Sequence, residues 1–305
     1  MRTCLLFPGQ GAQYPRMGMD LWEASPKVRE LFLLASDAAG FDVKRALSEG
    51  TAEELAATDK AQVLITLVDL SAAAVLVERG IEPGGCAGFS LGEYAALCTA
   101  GIVGVEPVFR IVKVRGELME KASRGLDAAG GKPGMAAVLG LPAERVAAVA
   151  AGIEGVFVAN HNSPVQLVLS GTAAGLSRAE ELLKREGAKR FIRLKVSGPF
   201  HSPLMEGARV AFEEALAGFA FAEPVLPVYS NVTAGPIASG AEARALCGRQ
   251  VVSPVRWVDE ETRLAADGYV DFREAGPGTV LTGLFKALRP DVDCRPAGTL
   301  EAIGR

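Results

Sequence analysis

Residues 88–92 form a G-x-S-x-G element centred on Ser90. An apolar run from Cys86 leads into it, and a helix-compatible run from Glu93 leads out of it. A serine on such a strand-to-helix turn exposes its hydroxyl, and the free N–H groups of the following helix can stabilise an oxyanion. The pattern predicts that Ser90 is a nucleophile; the alternative is an ordinary turn between a strand and a helix.

A serine hydroxyl needs a base to take its proton, and histidine is the usual base because its pKa lies near neutrality. The chain has only two histidines. His201 lies in a loop that Pro199 and Pro203 stiffen, so we favour it as the base. We interpret His161 as an interface residue or a minor substrate contact. A surface or packed histidine is the alternative for His201.

A hydrolase triad would place an acidic residue between the serine and the histidine in the chain. Asp127 is the only aspartate in that interval. Glu93 and Glu106 are further alternatives, although acidic residues are favoured at helix starts in any case. A serine–histidine dyad is the simpler prediction, and a backbone carbonyl would then fix the imidazole tautomer.

Two further residues could act on a substrate. Arg115 lies in an apolar predicted helix, and its guanidinium can hold a carboxylate through two hydrogen bonds. A solvated arginine is the more common occupant of such a position. Gln10 lies in the turn after the first predicted strand, where its N–H could complete an oxyanion hole with that of Leu91. A plain glycine-rich turn is the alternative for Gln10.

Composition excludes several classes of protein. The 305 residues are 49% hydrophobic, which is enough for a large core, and the net charge of −4 argues against a nucleic-acid binder. Five scattered cysteines without a C-x-x-C pair predict reduced thiols in a cytoplasmic protein. No metal site is predicted, because no His/Cys cluster has metal-ligand spacing. The apolar run at the N-terminus is too short for a signal peptide, and the stretch 63–77 is too short to span a membrane.

Strand and helix signals alternate in the first part of the chain, which predicts an α/β fold with a mainly parallel sheet. The later pattern differs. After a Gly- and Ala-rich linker at 127–132, the order β-α-β-β-α-β predicts a ferredoxin-like unit. We therefore predict a small domain of residues 127–196 inserted into a larger domain of residues 1–126 and 197–305. The predicted strands are 4–7, 86–89, 135–139, 156–159, 166–169, 191–196 and 269–272, and the predicted helices are 26–39, 62–78, 107–123, 142–151, 172–186, 203–217, 241–251 and 279–288.

Together these motifs resemble those of malonyl-CoA:acyl-carrier-protein transacylases and of the acyltransferase domains of fatty-acid and polyketide synthases. The similar segments follow the family order over nearly the whole chain: 7–13, 88–94, 115–116, 198–202, 250 and 253–257. The resemblance implies an α/β-hydrolase-like core with an inserted ferredoxin-like domain. It also implies transfer of a malonyl group from malonyl-CoA to acyl carrier protein in fatty-acid synthesis.

The resemblance assigns roles to individual residues. Ser90 would carry the malonyl ester, and His201 would act as general base and then as general acid. Arg115 would bind the free carboxylate, and the backbone amides of Gln10 and Leu91 would form the oxyanion hole. The remaining substrate-site residues would be Gln250, whose main-chain carbonyl orients the histidine, Phe200, which leaves little room for an α-methyl group, and Asn162.

The sequence departs from the family pattern at two positions. Phe89 stands where many relatives have histidine, so any polar help from that position is absent. Val165 stands where relatives often have glycine, which predicts a different loop in the small domain.

Acyl carrier protein is expected to be acidic, so this acidic chain needs a local basic patch to bind it. The residues predicted to dock the carrier are Lys189, Arg190 and Lys286; solvated charges are the alternative for each. Malonyl-CoA and CoA would be substrate and product, no cofactor is expected, and we expect a monomer that binds neither nucleic acid nor membrane.

Three rival functions stay open. A serine esterase or thioesterase would use water as the second acceptor, and a non-catalytic acyl-CoA or carrier-protein binding module would not need both Ser90 and His201. A malonyl-loading acyltransferase of a polyketide or malonate decarboxylase pathway would share the same residues.

Overall fold

The chain begins with a buried strand followed by helices. The computed structural model describes residues 2–126 and 131–304. Ser25 caps one of these helices by accepting a hydrogen bond from the backbone of Val28, and Gly40 ends it in a left-handed conformation. The elements of this part are β1 (Thr3–Phe7), α1 (Met19–Ala24), α2 (Pro26–Ala39), α3 (Val43–Glu49), α4 (Ala52–Ala56), α5 (Thr58–Glu78), β2 (Gly85–Gly88), α6 (Gly92–Thr99) and α7 (Val105–Gly125).

Strands and helices then alternate in the order that the sequence predicted for the small domain. Residues 127–130 of the predicted linker lie outside the described residues. Thr172 caps the second helix of this part by accepting from the backbone of Gly175 at 3.0 Å. The elements are β3 (Gly134–Leu139), α8 (Ala143–Ala151), β4 (Val156–Ser163), β5 (Gln166–Gly171), α9 (Ala173–Arg185) and β6 (Arg190–Arg193).

The last part of the chain returns to long helices and two short strands. A 3₁₀ turn at Pro203–Met205 precedes the first helix. The elements are α10 (Glu206–Leu216), α11 (Gly240–Gln250), α12 (Trp257–Ala266), β7 (Asp271–Glu274), α13 (Val280–Leu288), β8 (Asp293–Pro296) and α14 (Leu300–Ile303).

The first sheet is parallel and has the strand order β2-β1-β7-β8. Every residue of β1 and β2 is buried, as expected for a parallel sheet with both faces covered. Both strands end at the same edge, where Phe7 pairs with Gly88. Because ligands bind beyond the carboxyl ends of parallel strands, a functional site is expected at this edge.

The second sheet is antiparallel and has the order β4-β5-β3-β6. Helices α8 and α9 pack on one face through an apolar cluster that includes Val138, Val146 and Leu176. On the other face, Met135 and Val168 join the core of the larger region. One face of the second sheet therefore packs against the core that contains β1 and β2.

Helix α5 is the most apolar long helix of the described residues. Within it, Lys60–Glu78 has the length and hydropathy of a membrane span, but 89% of that window is buried inside the fold. Burial of this kind is typical of the core helix of a globular domain.

Two predicted strands have different bounds in the structure. The strand predicted at 191–196 ends at Arg193, and its apolar Ile192 is 43% exposed because β6 is the edge strand of the sheet and has a neighbouring strand on one side only. The strand predicted at 269–272 begins at Asp271, since the backbone of Tyr269 still closes a turn onto Leu264. The sequence analysis missed α1, α3, α4, α12, β8 and α14; all but α12 are short elements with little periodicity.

Candidate active site

Ser90 lies at the turn between β2 and α6, and the turn forces its backbone into an uncommon conformation. Its φ is 52°, a region that residues with a side chain rarely adopt. The neighbouring glycines are required because the chain passes close to itself. A Cβ on Gly88 would lie 2.1 Å from the backbone of Gly92, and one on Gly92 would lie 2.0 Å from the carbonyl oxygen of Phe7. The turn therefore has the geometry of a nucleophile elbow.

His201 lies within hydrogen-bonding distance of the serine. Its Nε2 is 2.7 Å from Ser90 Oγ, and its Nδ1 is 2.9 Å from the main-chain oxygen of Gln250. A carbonyl oxygen only accepts, so Nδ1 carries the proton and Nε2 is free to accept from the serine hydroxyl. This tautomer is the one that a general base needs.

The loop that carries His201 is held from three sides. His201 itself has a φ of 57°, and its backbone N–H donates to the carbonyl of Val251 at 3.1 Å. The Ser202 hydroxyl donates to the carbonyl of Pro199 at 2.6 Å. The hydroxyl of Ser170, in β5, donates to the carbonyl of Phe200. The second sheet thus helps to fix the base.

Burial and the nearby positive charge of Arg115 lower the pKa of His201 to about 4. Burial is the larger cause, because imidazolium loses its hydration inside the protein. The imidazole is therefore neutral, and able to accept a proton, over the whole physiological range.

The pH dependence of Ser90 acylation tests this pKa. A base must be neutral to act, so a lowered pKa extends activity toward acid. We expect the rate at low substrate concentration to stay level from neutrality down to about pH 5 and to fall below that, because this rate reports the free enzyme. A fall with a midpoint near the ordinary histidine value of about 6.5 would contradict it.

The alternative orienting acids do not reach the imidazole. The carboxylate of Glu93 accepts from the backbone N–H of Asn231 at 2.8 Å, and Glu106 pairs with Arg110 at 2.5 Å. Asp127 lies outside the described residues. Over the rest of the chain that the structure describes, no carboxylate bonds to His201. The expected dyad, oriented by a backbone carbonyl, is the arrangement present.

Arg115 of α7 is buried and directed at the same site. Its Nη1 donates to Gln62 Oε1 at 2.8 Å, and its Nη2 donates to Gln250 Oε1 at 3.1 Å. The guanidinium also lies 5.2 Å from the ring of Tyr94. The alternative of a solvated arginine on the helix surface is therefore wrong.

The charge of Arg115 is not neutralised by direct contact. Among the described residues, it forms no ion pair, although the carboxyl group of Glu93 lies near enough to interact with it electrostatically, and its buried Nε has no hydrogen-bond partner. A buried cation whose hydrogen bonds go only to neutral side chains favours an anionic ligand, because an opposite charge in direct contact would replace the hydration it has lost. The site is suited to a carboxylate.

The backbone amides of Gln10 and Leu91 are candidates for an oxyanion hole. Within the described parts of the chain, neither N–H has a hydrogen-bond acceptor. The two turns touch, because a Cβ on Gly9 would lie 2.4 Å from the carbonyl oxygen of Phe89. Two free donors beside the nucleophile could stabilise the negative charge that develops on an attacked carbonyl oxygen.

A cavity of about 250 Å³ connects these groups. Ser90, His201 and Arg115 line it together with Gln10, Leu91 and Phe200. The second sheet contributes Asn160 and Asn162, whose buried Oδ1 atoms have no partner among the described residues. The apolar side chains that line the cavity include Phe89, Met119, Met135, Val168, Leu194, Val196, Val280, Leu281 and Leu284.

Three residues singled out from the sequence lie elsewhere or act differently. His161 is in β4 but does not line the cavity, while its neighbours Asn160 and Asn162 do. Phe89 lines the cavity and packs its ring edge-on against Trp257 at 5.4 Å, so this position is apolar. Val165 is 52% exposed in the turn between β4 and β5 and does not line the cavity.

The predicted docking residues occupy two places. Lys286 is exposed on α13, the helix whose Leu281 and Leu284 line the cavity. Lys189 and Arg190 are exposed at the start of β6, about 13–17 Å along the extended chain from the cavity-lining Leu194.

Sequence reasoning missed two buried polar residues of the site. Gln62 holds Arg115, and Asn231 accepts from the backbone N–H of Ser90 at 2.7 Å. Gln62 gave one signal, a large polar side chain within the apolar run of a core helix. Asn231 lies in an irregular segment, where the sequence gives no comparable signal.

No metal site emerges from the residues that the structure describes: no group of three or more His, Cys, Asp or Glu side chains there could hold an ion.

The fold and the site together define an acyltransferase. The acyl transferase domain family matches residues 4–300, and the chain belongs to this family.

The proteins that the chain matches include transacylases. The chain is 40% identical over 289 residues to the malonyl CoA-acyl carrier protein transacylase of Bacillus subtilis, covering 93% of this chain and 90% of that protein. It is 36% identical over 295 residues to the polyketide biosynthesis transacylase PksC of the same species, covering 95% and 98%.

Two solved structures have the same fold. The transacylase of Coxiella burnetii superimposes with a TM-score of 0.94 at 32% identity, covering 99% of this chain and 96% of that one. A malonyl-transacylase in complex with a type II PKS acyl-carrier protein gives 0.94 at 33% identity, covering 99% and 98%.

Proposed function

We propose that this acyltransferase moves a malonyl group from malonyl-CoA to the phosphopantetheine thiol of acyl carrier protein, through an ester on Ser90, for fatty-acid synthesis. One observation carries the proposal: the Ser90–His201 dyad shares a cavity with Arg115, a buried cation that forms no ion pair with any described residue. The relatives named as malonyl CoA-acyl carrier protein transacylases support the same donor and acceptor.

In the first half-reaction, His201 Nε2 takes the proton of Ser90 as Oγ forms a bond to the thioester carbon. The N–H groups of Gln10 and Leu91 hold the resulting oxyanion. When the C–S bond breaks, the imidazolium gives its proton to the sulfur of CoA. In the second half-reaction, His201 deprotonates the carrier thiol, which attacks the ester, and Ser90 leaves with the proton. No cofactor enters either half-reaction.

The free carboxylate of the cargo binds to Arg115, and Asn162, which lines the same cavity, can donate to it through Nδ2. Two contact points fix the acyl group relative to Ser90, so that attack becomes effectively intramolecular. Phe200 lines the cavity and its bulk disfavours a substituent on the central carbon of the malonyl group.

A second candidate is malonyl loading for polyketide synthesis. The similarity to PksC and to the transacylase solved with a polyketide carrier favours it. The chemistry at Ser90 is the same in both cases, so the candidates differ only in the carrier that is recognised.

The proposal includes the division of the chain into domains. Residues 127–196 form a ferredoxin-like insertion, which the strand order β4-β5-β3-β6 and the two helices on one face support. Residues 1–126 and 197–305 form an α/β-hydrolase-like catalytic domain around the parallel sheet. We further propose that the enzyme is a cytoplasmic monomer.

Intact-mass measurement after mixing with malonyl-CoA tests the function. The parent protein is expected to gain one malonyl group. The Ser90→Ala variant is expected to gain none, because it lacks the hydroxyl that forms the ester. Transfer to added carrier protein should then remove the mass. Hydrolysis of the ester in buffer at the rate of turnover would instead identify a thioesterase, and no gain in the parent protein would reject the proposal.

The docking surface gives a separate prediction. Reversing the charge of both Lys189 and Arg190 to Glu is expected to raise the KM for carrier protein about tenfold, since each reversal replaces an attraction with a repulsion. Malonyl loading from CoA should stay unchanged. The matched control reverses Arg145 and Arg178, which are exposed on the helices of the small domain. Equal loss in both half-reactions would reject a docking role.

A further inference from the structure

Asn231 lies beyond the carboxyl end of β2, although it is far from Ser90 in sequence. The segment before it runs beside β2: the N–H of Cys86 donates to the carbonyl of Pro227 at 2.9 Å, and that of Tyr229 donates to the carbonyl of Cys86 at 3.2 Å. This short parallel bridge directs the chain toward the point where the elbow begins. Asn231 is fully buried there.

The side chain of Asn231 bonds to both sides of the elbow. Its Oδ1 accepts from the N–H of Ser90 at 2.7 Å, and its Nδ2 donates to the carbonyl of Gly88 at 2.7 Å. The second proton of Nδ2 goes to Glu260 Oε2 at 2.9 Å. These partners fix which amide atom is oxygen, because a carbonyl and a carboxylate can only accept from nitrogen.

The backbone of Asn231 is held equally firmly. Its N–H donates to Glu93 Oε2 at 2.8 Å, and its carbonyl accepts from the N–H of Arg256 at 3.1 Å. Every hydrogen-bonding group of this buried residue therefore has a partner. Such a fully satisfied residue has one orientation, since any other would leave buried polar groups unpaired.

We propose that Asn231 is the positioning residue of the nucleophile: its amide clamps the carbonyl of Gly88 and the N–H of Ser90, and so holds Ser90 Oγ in line with His201. This inference rests on the proposed function of Ser90.

The conformation of Ser90 explains why a clamp is needed. A φ of 52° is sparsely populated, and such a backbone persists only where its surroundings over-determine it. Helix α6 fixes the chain after Ser90 and β2 fixes it before Gly88. Phe89 lies between these two elements, and Asn231 forms hydrogen bonds with the peptide groups on either side of it.

The clamp also selects the oxyanion donor. With its hydrogen bonded to Asn231, the N–H of Ser90 is occupied before substrate arrives. The next amide, that of Leu91, has no acceptor among the described residues and so remains available.

The test measures how fast, and how completely, Ser90 is acylated. In Asn231→Leu, which has similar size but no polar atoms, we expect the single-turnover rate with malonyl-CoA to fall about 10–100-fold, as displacements near 1 Å can cause. The final amount should still reach one malonyl group per folded chain by intact mass. Asn231→Ala, where water can enter and satisfy the freed groups, is a second variant in case the leucine protein does not fold.

Thr233→Ala is the matched control, because Thr233 is exposed on the same loop; it should keep the parent rate. A residue that only supports the fold would lower the final amount of ester and leave the rate per competent site unchanged, and that outcome would overturn the inference. So would parent-like rates in a folded Asn231 variant. If the parent protein itself gains no malonyl group, the proposed function fails instead.

Discussion

The His201→Ala variant is expected to acylate Ser90 about 10⁴-fold more slowly than the parent protein, because removal of a catalytic base typically has an effect of this size or larger. The reason lies in the dyad: Nε2 is 2.7 Å from Oγ, and no carboxylate within the described residues stands close enough to replace it. The oxyanion donors and Arg115 remain, so malonyl-CoA should still bind. Rapid quenching followed by intact-mass analysis measures the rate.

His161→Ala provides the control for this measurement, since His161 is the other histidine of the chain and does not line the cavity. Its rate should match the parent rate. A His201→Ala protein that retains acylation within tenfold of the parent would show that the proton goes to another group. An equal loss in both variants would point to a general effect on folding.

The second large effect is expected at Arg115. Replacing it with Ala should lower the rate with malonyl-CoA by about 10²–10³-fold, the loss that accompanies removal of one partner of a buried charge pair. The rate with acetyl-CoA should not fall, because acetyl has no carboxylate to bind. The preference for malonyl over acetyl should therefore collapse, which competition between the two thioesters measures directly.

Arg115→Lys distinguishes charge from geometry. Lysine keeps the positive charge but lacks the planar fork that meets two carboxylate oxygens, so an intermediate preference is expected. Melting temperatures of the variants should be compared, since Gln62 and Gln250 lose their shared partner. If the malonyl preference survives in Arg115→Ala, the carboxylate binds elsewhere in the cavity.

Local patterns explain what the sequence predicts well. Helix α2 has the predicted bounds because Ser25, Pro26 and Gly40 mark its ends within a few residues of the apolar pattern itself. The Ser90 turn is recognisable for a similar reason, since Gly88 is required by the backbone of Gly92 four residues on, although Gly92 itself meets the distant carbonyl of Phe7.

Long-range contacts explain what the sequence does not reveal. The partner of His201 Nδ1 is a backbone carbonyl of Gln250, and any residue type could supply one. Asn231 reaches Ser90 through a bridge between distant segments. The end of β6 at Arg193 depends on where the chain leaves its neighbour β3, whereas the alternating pattern continues to Val196.

The closeness of Arg115 to His201 affects when, in the reaction, the imidazole becomes a stronger base. The empty enzyme keeps its imidazole a weak base, in part because the guanidinium charge lowers the pKa of His201. In the proposed complex, a malonyl carboxylate bound to Arg115 would cancel that charge, so the pKa of His201 would rise and the imidazole would gain proton affinity once malonyl-CoA is bound. The same carboxylate would stay bound to Arg115 in the proposed ester, which would keep the pKa of His201 raised when the second thiol arrives. An acetyl group brings no such compensation, so selection between the two acyl groups acts on reactivity as well as on binding.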